Sequence, residues 1–566
     1  MIFRFFKFNL ILYTFFLLGI SNLSYSKTPE FNFDAKNISN YFSGLVSFDD
    51  FDYFNSKKFF KTLDNLEPNN MDYSSKFIQS LINLGKYKEA YRYSKKLEKK
   101  GLYNFESNLF LGLYSFKEEE YEKSQLYFNK LKPNFENQVI FDILKDTIDT
   151  WLIITRSKYR EDENIIDTLE LNSTNLKMIQ QTFGYCYLNK RETNLKFKKI
   201  VENNKSNFSR YNFFFANYLY NNEDKVEAKK IVNLASKKYP RNLLINQLKQ
   251  NLNGKGENKN KFNCKNSTNV MAEIFYVLAN ALSTQNLFQP SNFYINLAKF
   301  LNPNFPSYNS LLAENFIELN KNVEAEKIYK KLSQIGTIYR WHSSKQITVI
   351  MENNGNKNSL NFLSNIYKNI NPGIYETYDF ANFLRNKENY EESIKLYSEI
   401  LEKIDKDHNL YSKVLERRGT AYERNDNWEL AEKDLLASLE ILPDEPYVMN
   451  YLAYSWVEKN KNIEMALDML KRANNIKKND GYITDSLGWA LYKLKDFEQA
   501  KKYLEMAIIL MPRDPVINDH FADCLWMNNH KLQARYYWNN VLKSETADEE
   551  LKIKVEKKIL FGLQNI

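Results

Sequence analysis

Histidine, cysteine and aspartate come closest together in the stretch NDHFADC. His520 and Cys524 are four residues apart, so they would share one face of a helix, with Asp519 and Asp523 beside them. These side chains can bind zinc, but a metal site needs three or four converging ligands and a supporting shell. Because the spacing is also what a mixed helix gives by chance, we expect packing or capping roles here and no metal site.

Other catalytic patterns are missing from the sequence. The chain has four histidines, no glycine-rich phosphate loop after a strand, and no serine in a Gly-x-Ser-x-Gly turn. Its net charge of +9 is spread over 566 residues, without the concentrated basic face that nucleic-acid binding requires. We therefore expect a protein that is not an enzyme, needs no cofactor and binds no nucleic acid.

A repeat of small residues organises most of the chain. In DSLGWALYKLKDFEQAKKYLEMAIILMP, Gly488 is followed after twelve residues by Ala500, seven later by Ala507 and five later by Pro512. Apolar residues recur at intervals of three and four in each half, which is typical of amphipathic helices. Small residues let two antiparallel helices approach, Lys495-Asp496 forms the turn, and proline ends the second helix.

The same pattern returns about every 34 residues, and we count about fourteen units between residues 37 and 548. One hairpin cannot bury its apolar face alone, so neighbouring hairpins must stack. The spacing resembles that of the tetratricopeptide repeat (TPR) family, and the C-terminal third resembles exported TPR proteins of alphaproteobacteria. The resemblance implies an all-α fold, an α-solenoid in the form of a right-handed superhelix with a C-terminal capping helix.

The pattern also predicts where the chain divides. Arg4 and Lys7 precede an apolar run, and small Ser24 and Ser26 follow it, which indicates a secretory signal peptide and a periplasmic protein. An uncleaved anchor helix is the alternative. The predicted segments are a signal peptide at 1–26, an N-terminal TPR array at 37–250, a polar linker or hinge at 251–269, a C-terminal TPR array at 270–548 and a capping helix at 549–566.

The three cysteines are widely scattered, so they form no disulfide framework. Cys186 and Cys524 lie inside helical patterns, where we expect small buried thiols. One pairing among Cys186, Cys264 and Cys524 stays open.

The TPR resemblance further implies a binding surface, because the first helix of each hairpin lines the concave face in that family. The candidate groove residues are Tyr447, Asn450, Tyr454, Tyr482, Asp485, Trp489, Tyr492, Asp519, Asp523 and Trp526. Aromatic rings supply rigid contact area, and Asn and Asp can bond a peptide backbone. The alternative is that Tyr482 and Trp489 only pack between neighbouring helices.

These observations predict a non-catalytic scaffold or adaptor in the cell envelope that binds a protein or peptide along its concave groove. Two other functions stay open: an accessory protein for a carbohydrate, the cell wall or polysaccharide export, and an architectural protein that associates with itself.

Overall fold

The computed structural model describes residues 31–563 except 32, 64, 133–137, 158–165, 167–173, 204–206 and 255. Within these residues all regular structure is helical and no β-strand occurs, so the predicted all-α fold is confirmed. The signal peptide predicted at residues 1–26 lies outside the described residues. In the described part, no helix is both long and apolar enough for a membrane span.

The chain divides between Ser359 and Leu360 into two compact units, which we call the N-terminal unit and the C-terminal unit. The helices that begin in the N-terminal unit are α1 Ala35–Asp49, α2 Tyr53–Phe60, α3 Met71–Asn83, α4 Tyr87–Lys99, α5 Phe105–Lys117, α6 Tyr121–Phe128, α7 Gln138–Ser157, α8 Thr174–Tyr187, α9 Thr193–Val201, α10 Tyr211–Asn221, α11 Lys225–Lys238, α12 Leu243–Leu252, α13 Ser267–Ser283, α14 Phe288–Leu301, a 3-10 helix Pro306–Tyr308, α15 Asn309–Glu318, α16 Asn322–Leu332, α17 Thr337–Asn353 and α18 Ser359–Lys368. Those of the C-terminal unit are α19 Ile374–Asn386, α20 Tyr390–Leu401, α21 Tyr411–Arg424, α22 Trp428–Ile441, α23 Pro446–Glu458, α24 Ile463–Ile476, α25 Gly481–Lys493, α26 Phe497–Leu510, α27 Pro515–Met527, α28 Lys531–Lys543 and α29 Glu549–Phe561.

A residue with positive φ closes most hairpins. At the turn between α25 and α26, φ is 65° at Lys495, and the Asp496 side chain then accepts a bond from the Gln499 N–H at 3.2 Å. The left-handed conformation reverses the chain, and Asn, Asp and Gly tolerate it best. The positive-φ residues at these turns are Phe51, Gly85, Glu119, Asn189, Glu223, Asn286, Asn320, Gly355, Glu388, Asp426, Asn460, Lys495 and Asn529.

The turn between α23 and α24 differs from the others. The sequence spacing from Ala453 to Ala466 is thirteen residues, one more than usual. The structure accommodates the extra residue with two positive-φ asparagines, Asn460 at 51° and Asn462 at 47°.

Small residues let the paired helices approach closely. A Cβ atom added at Gly44 would lie 2.4 Å from Phe60, and one added at Gly488 would lie 2.6 Å from Leu504. In both hairpins the bulky partner comes sixteen residues after the glycine. The sequence pattern had paired Gly488 with Ala500, and the structure adds Leu504 as the side chain that leaves no room for a larger residue.

The predicted linker, residues 251–269, is packed against the helices around it and does not coincide with the division of the chain. Phe262 is buried, and its carbonyl accepts a bond from Asn217 Nδ2 at 2.5 Å. The Lys261 N–H donates to the Asn304 carbonyl at 2.8 Å. The Asn, Lys and Gly composition of this segment is typical of a linker or hinge. Composition alone does not show that buried Phe262 anchors the segment to the neighbouring helices.

One disulfide ties this segment to the N-terminal array. Cys186 on α8 is bonded to Cys264, across 78 residues of sequence, with Cα atoms 5.7 Å apart. The expectation of a free thiol at Cys186 was therefore wrong, because the linker folds back onto α8. Cys524 is a buried free thiol, as expected, and burial raises its pKa to about 12.

Candidate functional site

The candidate groove lies on three first helices of successive hairpins, α23, α25 and α27, which contact one another in that order. Asn450, Asp485 and Asp519 occupy the equivalent position on the three helices, and Tyr454, Trp489 and Asp523 occupy the next equivalent position. We call this surface the inner face of the C-terminal unit. Its members differ sharply in how far they are exposed.

Trp489 is packed between helices. Its ring stacks on Tyr492 with centroids 4.6 Å apart and on His520 with centroids 4.0 Å apart. Its indole N–H donates to Glu458 Oε1 at 2.6 Å, and the residue is only 8% exposed. A large aromatic ring with these partners stabilises the contact between α23, α25 and α27.

Asp485 is also buried, and one of its oxygens lies 2.8 Å from Nδ1 of His520. Its other oxygen, Oδ1, is buried without a hydrogen-bond partner among the described residues. Burial lowers the pKa of His520, but Asp485, Asp519 and Asp523 outweigh that effect and hold the pKa above its ordinary value. The raised pKa favours the protonated, positively charged form of His520 beside Asp485.

Asp519 and Asp523 bind a lysine of the C-terminal helix. Nζ of Lys558, on α29, lies 2.8 Å from both oxygens of Asp519 and 2.9 and 2.8 Å from those of Asp523. The Trp538 N–H donates to Asp523 at 3.0 Å. Burial and Asp519 raise the pKa of Asp523 to about 6, although Lys558 acts in the opposite direction.

The other six candidate residues are at least partly exposed. Tyr447 and Tyr482 are 52% and 54% exposed. The half-buried members are Asn450, Tyr454, Tyr492 and Trp526. Oδ1 of Asn450 is buried without a partner among the described residues, as is Oδ1 of Asp485. Trp526 lies against Gly562, where an added Cβ would be 2.2 Å from its ring. The exposed part of the inner face is therefore aromatic, with acceptor groups beneath it.

Sequence reasoning missed Lys558. On α29 the buried residues are Val555 and Lys558, three positions apart on one face, whereas Leu560 is 70% exposed. A lysine three residues after a buried valine was the available signal, but it is indistinguishable from a solvated lysine until its carboxylate partners are placed.

Helix α14 packs against the N-terminal hairpins, as α29 packs against the last hairpin of the C-terminal unit. Asn296 of α14 donates to Asn83 at 3.0 Å, and its carbonyl accepts the Tyr87 hydroxyl at 3.0 Å. The Phe300 ring packs on Phe110 with centroids 5.0 Å apart, and Lys117 Nζ donates to the Phe300 carbonyl at 2.6 Å. The N-terminal hairpins thus hold a helix as part of their core.

A cavity of about 600 Å³ lies beside the folded linker in the N-terminal unit. Nine of its sixteen lining residues are asparagines, from α10, α12, α13, the linker and the loop after α14. Its two charged lining residues, Glu257 and Lys261, form an ion pair of 2.9 Å. Nδ2 of Asn251 is buried in the wall without an acceptor among the described residues. The cavity is therefore polar and close to neutral.

Metal ligands do not converge in the part of the chain that the structure describes. No group of three His, Cys, Asp or Glu side chains there could hold a metal ion. Cys524 Sγ instead lies 3.5 Å from the Phe497 carbonyl, and His520 is held by Asp485.

Comparison with known proteins finds a repeat relative and distant structures. No protein-family profile matches the chain. A Pseudomonas aeruginosa protein described as "TPR repeat-containing protein PA4667" is 28% identical over 132 residues. That match covers 23% of this chain and 22% of the relative's length.

Solved structures of TPR proteins are similar at low sequence identity. The Cut9–Hcn1 complex aligns over 94% of this chain and 97% of the matched chain, with 13% identity and a TM-score of 0.34. TTC0263 of Thermus thermophilus aligns over 33% of this chain and 100% of its own, with 15% identity and a TM-score of 0.29. Superpositions this loose carry no argument about individual residues. The helical hairpins, their 34-residue period and the Pseudomonas aeruginosa relative support the resemblance of the chain to the tetratricopeptide repeat family.

Proposed function

We propose that the protein is a non-catalytic scaffold that binds a segment of a protein partner on the inner face of the C-terminal unit. The observation that carries the proposal is Lys558. The last hairpin of this face already holds a peptide segment, α29, through four close contacts between one lysine and two carboxylates. Hairpins that bind one segment of their own chain have the shape and chemistry to bind a segment of a partner protein as well.

Aromatic residues that are exposed or half-buried extend this surface. Tyr447, Tyr482 and Trp526 supply contact area with few rotatable bonds, a combination enriched where proteins bind one another. Contacts spread over several hairpins can add to a useful affinity. A related solved structure, YrrB, is described as "a TPR protein with an unusual peptide-binding site", which supports peptide binding as a use of such repeats.

The experiment compares partner capture by full-length variants. The double variant Tyr447→Ala/Tyr482→Ala should lose the captured partner, because both rings are exposed and their removal leaves the core intact. Tyr536→Ala, which removes a 63% exposed ring from α28, is the matched control and should capture it as the wild type does. An unchanged set of captured proteins in the double variant would overturn the proposal.

We also propose that the scaffold works in the cell envelope. The support is the N-terminal sequence, in which basic residues, an apolar run and small residues follow one another as in secretory signals. Sequencing the mature N-terminus is the test. A start near Lys27 in the periplasm supports export, and an intact Met1 in the membrane fraction indicates an anchor instead.

The asparagine-lined cavity favours a second candidate function, the binding of a neutral saccharide. Amides offer donors and acceptors together, which matches hydroxyl groups, and asparagines supply nine of the residues that line this cavity. Titration of the full-length chain with chitotriose and maltotriose, with Asn251→Leu as the variant and exposed Asn233→Leu as the control, tests it. Absence of any saccharide-dependent signal would remove this candidate.

A further inference from the structure

Helix α14 shows how these repeats hold a helix. It lies across the first three hairpins of the N-terminal unit, and its contacts advance along it in register with them. Tyr53 of the first hairpin lies against Asn292, and Tyr87 of the second bonds the Asn296 carbonyl. In the third, Lys117 bonds the Phe300 carbonyl. From Tyr53 to Tyr87, which are equivalent residues, the contact advances by four residues, about one helical turn, and Lys117 at the end of α5 bonds one turn further on.

Tyrosines occupy one equivalent position in these three hairpins. Tyr53 and Tyr87 are the first residues of α2 and α4, and Tyr121, the first residue of α6, lies 3.5 Å from Ser267 of α13. They are 34 residues apart, so their side chains form one stripe along the edge of the array. Tyr53 and Tyr121 are buried against the helices they contact.

The C-terminal unit carries an equivalent stripe. The first residues of α22, α24 and α26 are Trp428, Ile463 and Phe497. All three are half-buried, as Tyr87 is, whereas Tyr53 and Tyr121 are buried. The Trp428 N–H is buried without an acceptor among the described residues. We call this set the edge stripe.

Lys117, which contacts α14, also has an equivalent in the C-terminal unit. Lys117 comes five residues after Gly112, and Lys493 comes five residues after Gly488. Lys117 binds the carbonyl of Phe300, next to the C-terminal residue of α14, where the negative end of a helix dipole favours a cation. A helix on the edge stripe would therefore point its C-terminus toward Lys493.

We propose that the edge stripe binds one amphipathic helix of a protein partner, laid across three hairpins as α14 is in the N-terminal unit. This inference rests on the proposed function and specifies the partner's conformation and direction. The partner segment presents apolar or amide side chains every three to four residues, with its last carbonyls at Lys493.

The test is the register of cross-links. A photo-reactive benzoylphenylalanine replaces one residue at a time in the full-length chain within the cells that produce it, at Trp428, Ile463 or Phe497 of the edge stripe and at Tyr447 or Tyr482 of the inner face. The partner residues that react are then mapped by mass spectrometry. Met506, which is 46% exposed on α26, serves as the control position.

A helical partner should react at one segment, with sites moving about four residues toward its C-terminus for each hairpin, since a helix rises about 1.5 Å per residue. An extended strand, at about 3.3 Å per residue, would advance only about two residues per hairpin, and that register would overturn the inference. Reaction from Tyr447 and Tyr482 but not from the edge stripe would also overturn it, while the proposed function stands. Reaction from neither set would contradict both.

Discussion

The two units of this protein use the same hairpins differently. In the N-terminal unit, α14 lies on the first three hairpins, and of the tyrosine stripe Tyr53 and Tyr121 are buried and Tyr87 is half-buried. In the C-terminal unit the corresponding residues are half-buried, and α29 contributes two buried residues, Val555 and Lys558. The N-terminal unit therefore buries part of this face in its core, whereas the C-terminal unit leaves much of the equivalent face at the surface.

The difference shows that a TPR surface is defined by what covers it and not by the repeat. Phe300 is held by the rings of Tyr87, Phe110 and Tyr114, so it contributes mainly apolar burial. Lys558 is held by two carboxylates and contributes an ion pair. Four changes would break or sharpen this comparison, from the largest effect to the smallest.

Phe300→Ala should destabilise the N-terminal unit most. Removing a buried phenylalanine leaves a cavity between α14 and the hairpins, and we expect a loss of about 3–5 kcal/mol in the free energy of unfolding. Hydrogen exchange should accelerate in α3, α5 and α14. Leu234→Ala, which trims a 58% exposed side chain on α11, is the control. A loss as small as that of the control would show that α14 is not part of the core.

Loss of the Cys186–Cys264 disulfide should come next. The bond closes a long loop, and its removal typically costs about 2–4 kcal/mol. We expect Cys186→Ser/Cys264→Ser to lower the stability of the N-terminal unit, measured by denaturant unfolding. Hydrogen exchange in α25 and α27 should stay unchanged. Faster exchange there would mean that the two units do not respond separately.

Lys558→Met should loosen the end of the C-terminal unit. The substitution leaves Asp519 and Asp523 without their cation, and leaving buried charges unpaired lowers the free energy of unfolding by about 3 kcal/mol. The loss is smaller if α29 detaches and lets water reach the two carboxylates. Hydrogen exchange in α27 and α29 reports the change. Lys554→Met is the control, because Lys554 is an exposed partner of Glu550. Adding Asp519→Asn and Asp523→Asn should restore slow exchange in α27, and failure to do so would reject the electrostatic cause.

The smallest effect is a pH dependence. The pKa of Asp523 is raised to about 6 by burial and by Asp519, so the protonated form is favoured in the folded chain. The resulting stabilisation is complete below about pH 4 and is lost as the pH rises through about 6. Denaturant unfolding of the wild type and Asp523→Asn across this range should converge at low pH. Parallel curves would contradict the assignment.

Much of the fold follows from short-range signals. The glycine at 488 and the proline at 512 specify a hairpin, because a small residue permits close helix approach and proline stops a helix. The division of the chain did not follow, because the polar composition of residues 251–269 hides the anchoring by Phe262 and Cys264. Of the candidate site, Tyr447 and Tyr482 are exposed as a binding surface requires. Trp489 and Asp485 are buried against neighbours that periodicity does not name.

The sequence by itself determined the 34-residue period, the helical hairpins and the positions of their turns, since each depends on residues within one repeat. Only the tertiary structure decided which faces are covered. The seating of α14 on the N-terminal hairpins and of Lys558 between Asp519 and Asp523 joins residues far apart in the chain. Such contacts depend on how successive hairpins stack, and the residue pattern within one repeat does not show how they stack.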